Sequence, residues 1–193
     1  MLHLLLGSKS PRRQEILKGA NLPFELVSID SDENFPPTMK GEEVAEFLAI
    51  KKSNAYKNEL KQSILLTADT VVFLEGEIIN KPNNEKHAID MLEKLSGKMH
   101  TVYTGVCLRS TSSQIAFTDK TNVYFNKLAS SEINYYIHHY KPLDKAGAYG
   151  IQDWIGYIGI EKIEGNFFNV MGLPINKVYK ALSNSFGQDY LSV

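Results

Sequence analysis

The run Ile64-Leu65-Leu66-Thr67-Ala68-Asp69-Thr70-Val71-Val72-Phe73 constrains this chain more than any other segment. It is apolar and β-branched enough to form a strand, yet it carries a carboxylate near its centre. Burying that charge without a partner is costly, so Asp69 is expected at a bend, at a sheet edge or in a site. Two roles stay open for it. It could bind a metal through oxygen and orient or deprotonate water, or it could be a turn aspartate bonding its own backbone.

On either side of this strand the chain alternates between short apolar runs and helical periodicities. Leu2 to Leu6 reads as a buried strand within the apolar run from Met1. Gly7-Ser8-Lys9-Ser10 then turns the chain into a helix reaching about Ala20, with Ser10 as N-cap and Pro11 in the first helical position. Phe24 to Ile29 is a second strand, and Asp30 to Thr38, which contains Glu33, is an exposed loop. Val44, Phe47, Leu48 and Ala55 recur at helical spacing within an amphipathic helix from Glu42 to about Leu60, with Lys51, Lys52 and Lys57 among its polar positions. Glu75-Gly76 turns the central strand back into Glu77 to Ile79, and Lys81-Pro82 closes that hairpin. There follow a helix from Glu85 to Leu95, strands Met99 to Arg109 and Gln114 to Phe125, and a helix from a Ser130 cap to Tyr140. A glycine-rich loop from Asp144 to Asp153, a strand from Trp154 to Ile163 and a helix from Pro174 to Phe186 complete the chain. This order predicts an α/β fold, a mixed twisted β-sheet flanked by helices. No repeat or linker interrupts it, so a single unit over 1–193 is expected.

The segment Gly7 to Arg13 carries a second unusual feature. Two arginines occupy the first turn of a helix, where positive charge is disfavoured by roughly 0.3 to 1 kcal/mol each. An anion would offset them. Free backbone N–H groups, the Ser8 and Ser10 hydroxyls and the guanidinium groups of Arg12 and Arg13 would together cradle a phosphate; the other reading is that both arginines point into solvent. The spacing is not that of a Walker A loop. Lys52, Lys81 and Glu33 are residue types that suit polyphosphate and metal, provided they converge on one cleft. Gly147-Ala148-Tyr149-Gly150-Ile151-Gln152 offers close backbone approach and a side-chain amide, or is only a tight turn.

Other chemistries find less support. With 43% hydrophobic and 22% charged residues and a formal net charge of -1, the chain is an ordinary globular one whose bulk charge names no partner. The lone Cys107 excludes an intrachain disulfide and fits a reducing compartment. No signal or membrane-spanning run is present, so a cytoplasmic, membrane-free protein is expected. The five histidines lack metal spacing, and neither a Gly-x-Ser-x-Gly elbow nor a Gly-x-Gly-x-x-Gly fingerprint occurs. Tyr135, Tyr136 and Tyr140 read as a helix face packed on the sheet rather than a base-stacking platform.

Taken together, these segments resemble the Maf family of nucleoside triphosphate pyrophosphatases, whose fold is similar to that of the inosine triphosphatases (Ham1-like). Leu6-Gly7-Ser8-Lys9-Ser10-Pro11-Arg12-Arg13, Ala68 to Val72, Leu95 to His100 with Val102 to Gly105, Lys145 to Gln152, and Val170 to Pro174 match its motifs in order. The chain departs from the family pattern at Gly7, Asn80 and Asp153-Trp154. The resemblance implies two lobes around a cleft and Asp69 as proton acceptor. It implies Arg12, Thr70 and Gln152 as determinants of substrate choice, and Ser8, Arg13, Lys52 and Lys81 as phosphate-binding residues. Glu33 and Asp69 would share a divalent metal cation, Mg²⁺ or Mn²⁺. The Gly-Ala-Tyr-Gly-Ile-Gln form of the loop resembles the subgroup acting on dTTP and UTP. A nucleoside triphosphate is thus the expected partner, with no stable nucleic acid and with a homodimer as a family expectation. The competing readings are a nucleotide-binding regulator of cell division and a single-stranded nucleic-acid binder.

Overall fold

Strand β3 (Ser63–Leu74) runs through a seven-stranded sheet in the computed structural model, which describes residues 2–187, so that Met1 lies outside the described residues. β1 (His3–Leu6) pairs with it in parallel and β5 (Met99–Arg109) antiparallel. β2 (Glu25–Leu26) extends the parallel side, while β6 (Gln114–Phe125) and β7 (Ile160–Glu164) extend the antiparallel side. β4 (Glu77–Ile79) folds back onto the end of β3. The sheet is therefore mixed, as expected.

Alternation along β3 sorts its side chains onto two faces, and both are covered. Ile64, Leu66, Ala68, Val72 and Leu74 join Leu4 and Leu6 of β1 in the main core. Helices α1 (Pro11–Gly19), α3 (Glu85–Leu95), α4 (Ser130–Tyr140) and α7 (Ile175–Phe186) supply Leu17, Leu92, Tyr136 and Leu182 to it. On the other face Val71 packs with Val44, Ala45 and Leu48 of α2 (Gly41–Ala55), and Leu65 with Leu5 and Leu60. Asp69 lies two residues before Val71, on the same face, and so projects toward α2.

Two short strands share one side of β3 without meeting. β1 stops at Leu6, opposite Leu66, and β4 begins its pairing at Val72, opposite Ile79. Between them, residues 67–71 have no strand neighbour on that side. β5 pairs the other side continuously, placing Gly105 opposite Asp69 and Thr104 opposite Thr70. The sheet thus parts where the polar residues lie, which resolves how an aspartate can occupy an otherwise apolar strand.

Three elements differ from the sequence expectations. Trp154 to Ile163 is not one strand but helix α5 (Trp154–Gly159) running into β7. Asp153 at its N-cap, with the backbone bond from Gly156 N–H to Asp153 C=O at 2.8 Å, starts a helix that outweighs the β-preference of its residues. Helix α6 (Phe167–Met171) was not expected, although Asn166, whose side chain accepts from the Asn169 amide, and Gly172 at its C-cap are ordinary start and stop signals. Helix α2 ends at Ala55 rather than near Leu60 because Arg109 of β5 takes up its last carbonyls, donating to Ser53 C=O at 2.6 Å and Tyr56 C=O at 3.1 Å.

Smaller corrections concern caps and strand length. Ser10 occupies the N-cap of α1 but makes no capping side-chain bond. The cap of α4 is Ala129, whose amide donates to Glu132 at 2.7 Å, and Ser130 is already helical. β2 is only two residues long, with Val27 N–H still donating to Leu6 C=O at 3.0 Å. Tyr136 is buried as expected, whereas Tyr135 and Tyr140 are 45% and 41% exposed.

Gly105 lets α2 approach the sheet directly over Asp69. A Cβ there would lie 2.1 Å from the Ala45 carbonyl oxygen, and a helix backbone has no way to yield locally. Gly105→Ala should therefore destabilise the fold by about 1–3 kcal/mol, the usual penalty of overpacking. A denaturation midpoint indistinguishable from that of the unsubstituted chain would contradict this close approach.

Candidate active site

The opening in the sheet forms the floor of a cleft of about 490 Å³. Ser8, Arg12, Arg13, Glu33, Lys52, Asp69, Thr70, Lys81 and Gln152, the nine residues singled out above, all line it. They come from six separate stretches of chain. Six basic and four acidic side chains line the cleft, a positive excess in a chain whose formal net charge is -1. This is a local field suited to an anion.

Asp69 sits at the centre. One of its carboxylate oxygens accepts from the Thr70 amide at 2.8 Å, and the other accepts from Lys52 Nζ in a close ion pair. Both side chains are largely buried, with 10% of Asp69 and 18% of Lys52 exposed, which makes the pairing obligatory. Thr67, on the same face of β3, anchors α2 by donating to Ala49 C=O at 2.7 Å, one turn before Lys52. Glu33 reaches in from its loop and accepts from Lys52 at 3.2 Å and from Lys81 at 2.9 Å. Burial pushes the Glu33 carboxyl up, but the hydrogen bond from Lys81 and the charge of Lys52 outweigh it and hold the group below the usual carboxylate range.

Arg13 is built into the wall. Its Nε donates to Gly172 C=O at 2.8 Å, and its two terminal nitrogens donate to Ser8 Oγ at 2.9 Å and Thr70 Oγ1 at 3.2 Å. The Thr70 hydroxyl passes its own proton to Thr104 Oγ1 at 2.9 Å, and Thr104 donates to Asn169 C=O at 2.9 Å. The direction of this chain follows from the Asn169 carbonyl, which can only accept: it takes the single Thr104 hydroxyl proton and leaves Thr70 as the donor to Thr104. Burial lowers the Arg13 pKa from its ordinary value while the charge of Asp69 works against that shift. Ser8 Oγ also accepts from Ser10 N–H at 3.3 Å. With no side-chain cap on α1, the amides of its first turn are unclaimed by Ser10.

Arg12 does not point into solvent; it donates to Asp144 at 2.8 Å. Lys145 holds the other oxygen of Asp144 at 3.0 Å. Asp144 in turn sits below the usual carboxylate range, because these two hydrogen bonds overcome the upward push of burial. Gln152 lies in the same glycine-rich loop, and its carbonyl oxygen is buried with no hydrogen-bond partner. Such an acceptor costs about 1–3 kcal/mol until something donates to it.

Several of these partners were not foreseen from the sequence. The charged Asp144-Lys145 pair opening a glycine-rich loop was a readable signal. Thr104 and Gly172 lie in segments matched to family motifs, but what they touch is not legible there, because strand register and the turn after α6 decide it.

The profile of the family described as "Maf-like protein" matches residues 3–185. The dTTP/UTP pyrophosphatases of Phocaeicola vulgatus and Bacteroides thetaiotaomicron are similar to this chain at 47% and 45% identity, each alignment covering 93% of this chain and 94% of the relative. That of Bacteroides fragilis is similar at 46% over the same shares. Among solved structures, a HAM1 protein from Coxiella burnetii matches 65% of this chain and 73% of its own at 12% identity, with a TM-score of 0.41. A family match running almost from end to end, joined by full-length relatives at 45% to 47% identity, places the chain in the Maf family.

Proposed function

We propose that this chain hydrolyses nucleoside triphosphates, dTTP and UTP foremost, to the monophosphate and pyrophosphate, clearing nucleotide pools in the cytoplasm. The observation that carries the reading is the convergence of Asp69 with Lys52, Lys81 and Arg13 from distant stretches on one cleft. The full-length relatives named for this reaction support it. The unpaired, buried Cys107 suits a reducing compartment, and no helix among the described residues is long and apolar enough to cross a membrane.

In this mechanism Asp69 accepts the proton of the attacking water, which adds to the α-phosphorus and expels pyrophosphate. Lys52, Lys81 and Arg12 neutralise the charge that builds on the leaving group, the term that usually contributes most. Arg13, fixed by Ser8, Thr70 and Gly172, presents its remaining N–H groups to the phosphates without reorganising. Arg12 and the lysines are paired with carboxylates, so a triphosphate exchanges one set of anionic partners for another. A divalent cation, Mg²⁺ or Mn²⁺, belongs to this reading. Glu33 and Asp69 both place an oxygen against Lys52 Nζ, and two carboxylates completed by phosphate oxygens and water suit such an ion. Among the described residues no three Asp, Glu, His or Cys side chains are placed to hold a metal ion by themselves, so the substrate would complete the coordination. When bound, the ion would act as a Lewis acid on the phosphates.

The orphaned carbonyl oxygen of Gln152 supports the base preference. Uracil and thymine offer N3–H to an acceptor, whereas N3 of cytosine carries no hydrogen. Thr70 contributes differently from a base contact, since its hydroxyl bonds Arg13 and Thr104.

Three measurements test this reading. Pyrophosphate should be released stoichiometrically from dTTP and UTP and cease when EDTA removes divalent ions, whereas nucleotide binding without release would favour a regulatory role. Asp69→Asn should lower kcat by roughly 10²-fold to 10⁴-fold with the circular dichroism unchanged; undiminished turnover would remove Asp69 from the proton-transfer step. Gln152→Ala should blur the preference for UTP over CTP more than it slows UTP hydrolysis, and equal losses on both nucleotides would speak against base reading by this residue.

A further inference from the structure

Asp153 departs from the family pattern, and the structure gives it a task. It stands at the N-cap of α5, where a carboxylate ordinarily accepts from the first helical amides, yet it makes no such bond. Its oxygen instead accepts from the hydroxyl of Tyr136 at 2.6 Å. The same hydroxyl accepts from the Gly150 amide at 3.0 Å. An amide only donates and a carboxylate only accepts, so the single phenol proton is committed to Asp153. Gly150 and Asp153 bracket Gln152, and both are held by one oxygen on a fully buried side chain of α4.

Two further observations show that this contact is built into the loop. A Cβ on Gly150 would fall 2.6 Å from the Asp153 carboxylate and 3.1 Å from Lys145 Cε, so the bare backbone is what admits both side chains. Lys145 Nζ stands 3.9 Å from Asp153 and 3.0 Å from Asp144, which holds Arg12. The tie therefore continues from the Gln152 loop to the arginine at the start of α1. Burial, aided by the bond to Asp153, raises the Tyr136 pKa above its ordinary value and keeps the phenol protonated.

We infer that Tyr136 and Asp153 are positioning residues that pin the Gln152 loop and thereby set base discrimination, an inference that rests on the pyrophosphatase reading above. The two ends of a glutamine amide have nearly the same shape and opposite hydrogen-bonding sense. An amide free to shift or flip serves cytosine as well as uracil. Only a loop fixed on both sides of residue 152 keeps the carbonyl oxygen toward an N–H donor.

Pyrophosphate release from UTP and from CTP tests the inference. Tyr136→Phe should lower the UTP to CTP ratio of kcat/KM by roughly 5- to 10-fold, the worth of one hydrogen bond, while kcat on UTP falls less. Asp153→Ala should do the same, and Asp153→Asn, which retains an acceptor, should recover most of the ratio. In a Gln152→Ala background Tyr136→Phe should change the ratio no further, because both act through one amide. Should Tyr136→Phe fail to fold, the more exposed Asp153→Ala and Asp153→Asn pair carries the test. An unchanged ratio in Asp153→Ala, or equal losses on both nucleotides, overturns the inference. A wild-type chain that releases no pyrophosphate, or treats UTP and CTP alike, sinks the underlying reading before any variant is made, and this inference with it.

Discussion

Asp69 and Lys52 meet across the face between β3 and α2, and most of the molecule's architecture follows from the need to let them meet. A carboxylate within an apolar strand is tolerable only when a cation reaches it. Lys52 does so because α2 lies against the sheet, over Gly105, with its carbonyl at Ala49 held by Thr67. The opening between β1 and β4 then gives the pair access to the cleft. Close packing on one side and a missing strand on the other make a charged centre inside a hydrophobic sheet.

Rigidity is distributed unevenly around that centre. Arg13 is clamped by Ser8, Thr70 and the Gly172 carbonyl, and the threonine relay behind it ends on the backbone of α6. It behaves as part of the wall. Lys81 and Glu33 are about half exposed and hold each other in a more solvated pair, the kind whose worth is modest and salt-dependent. The interior of the cleft is thus held from several sides, while its rim rests on a solvated ion pair.

Much of this could be read from residue order alone. The apolar, β-branched run from Ile64 to Phe73, helical spacing from Glu42 and the turn at Gly7 to Pro11 are local patterns, and local patterns survive into the fold. Asp69 announced itself as a charge in the wrong place, and two arginines at a helix start did the same. What stayed hidden depends on register and direction. Thr104 matters because antiparallel pairing sets it opposite Thr70, and Tyr136 because α4 turns it toward Gly150 while its neighbour Tyr135 faces outward. The strand expected from Trp154 failed for a related reason, since the backbone cap at Asp153 overrode the β-preference of the residues after it. Nothing in the structure explains why Asn80 stands where glycine is frequent in the family.

The bond from Arg13 to Gly172 spans 159 residues of sequence. During synthesis the amino-terminal helix leaves the ribosome long before its partner carbonyl exists, and a guanidinium destined for burial must wait in water. Contacts this remote in sequence form slowly, because a large loop must close first. The wall built around Arg13 is therefore among the last parts of the molecule that a nascent chain can complete, and a polypeptide truncated before Gly172 would lack it however well its earlier strands had paired.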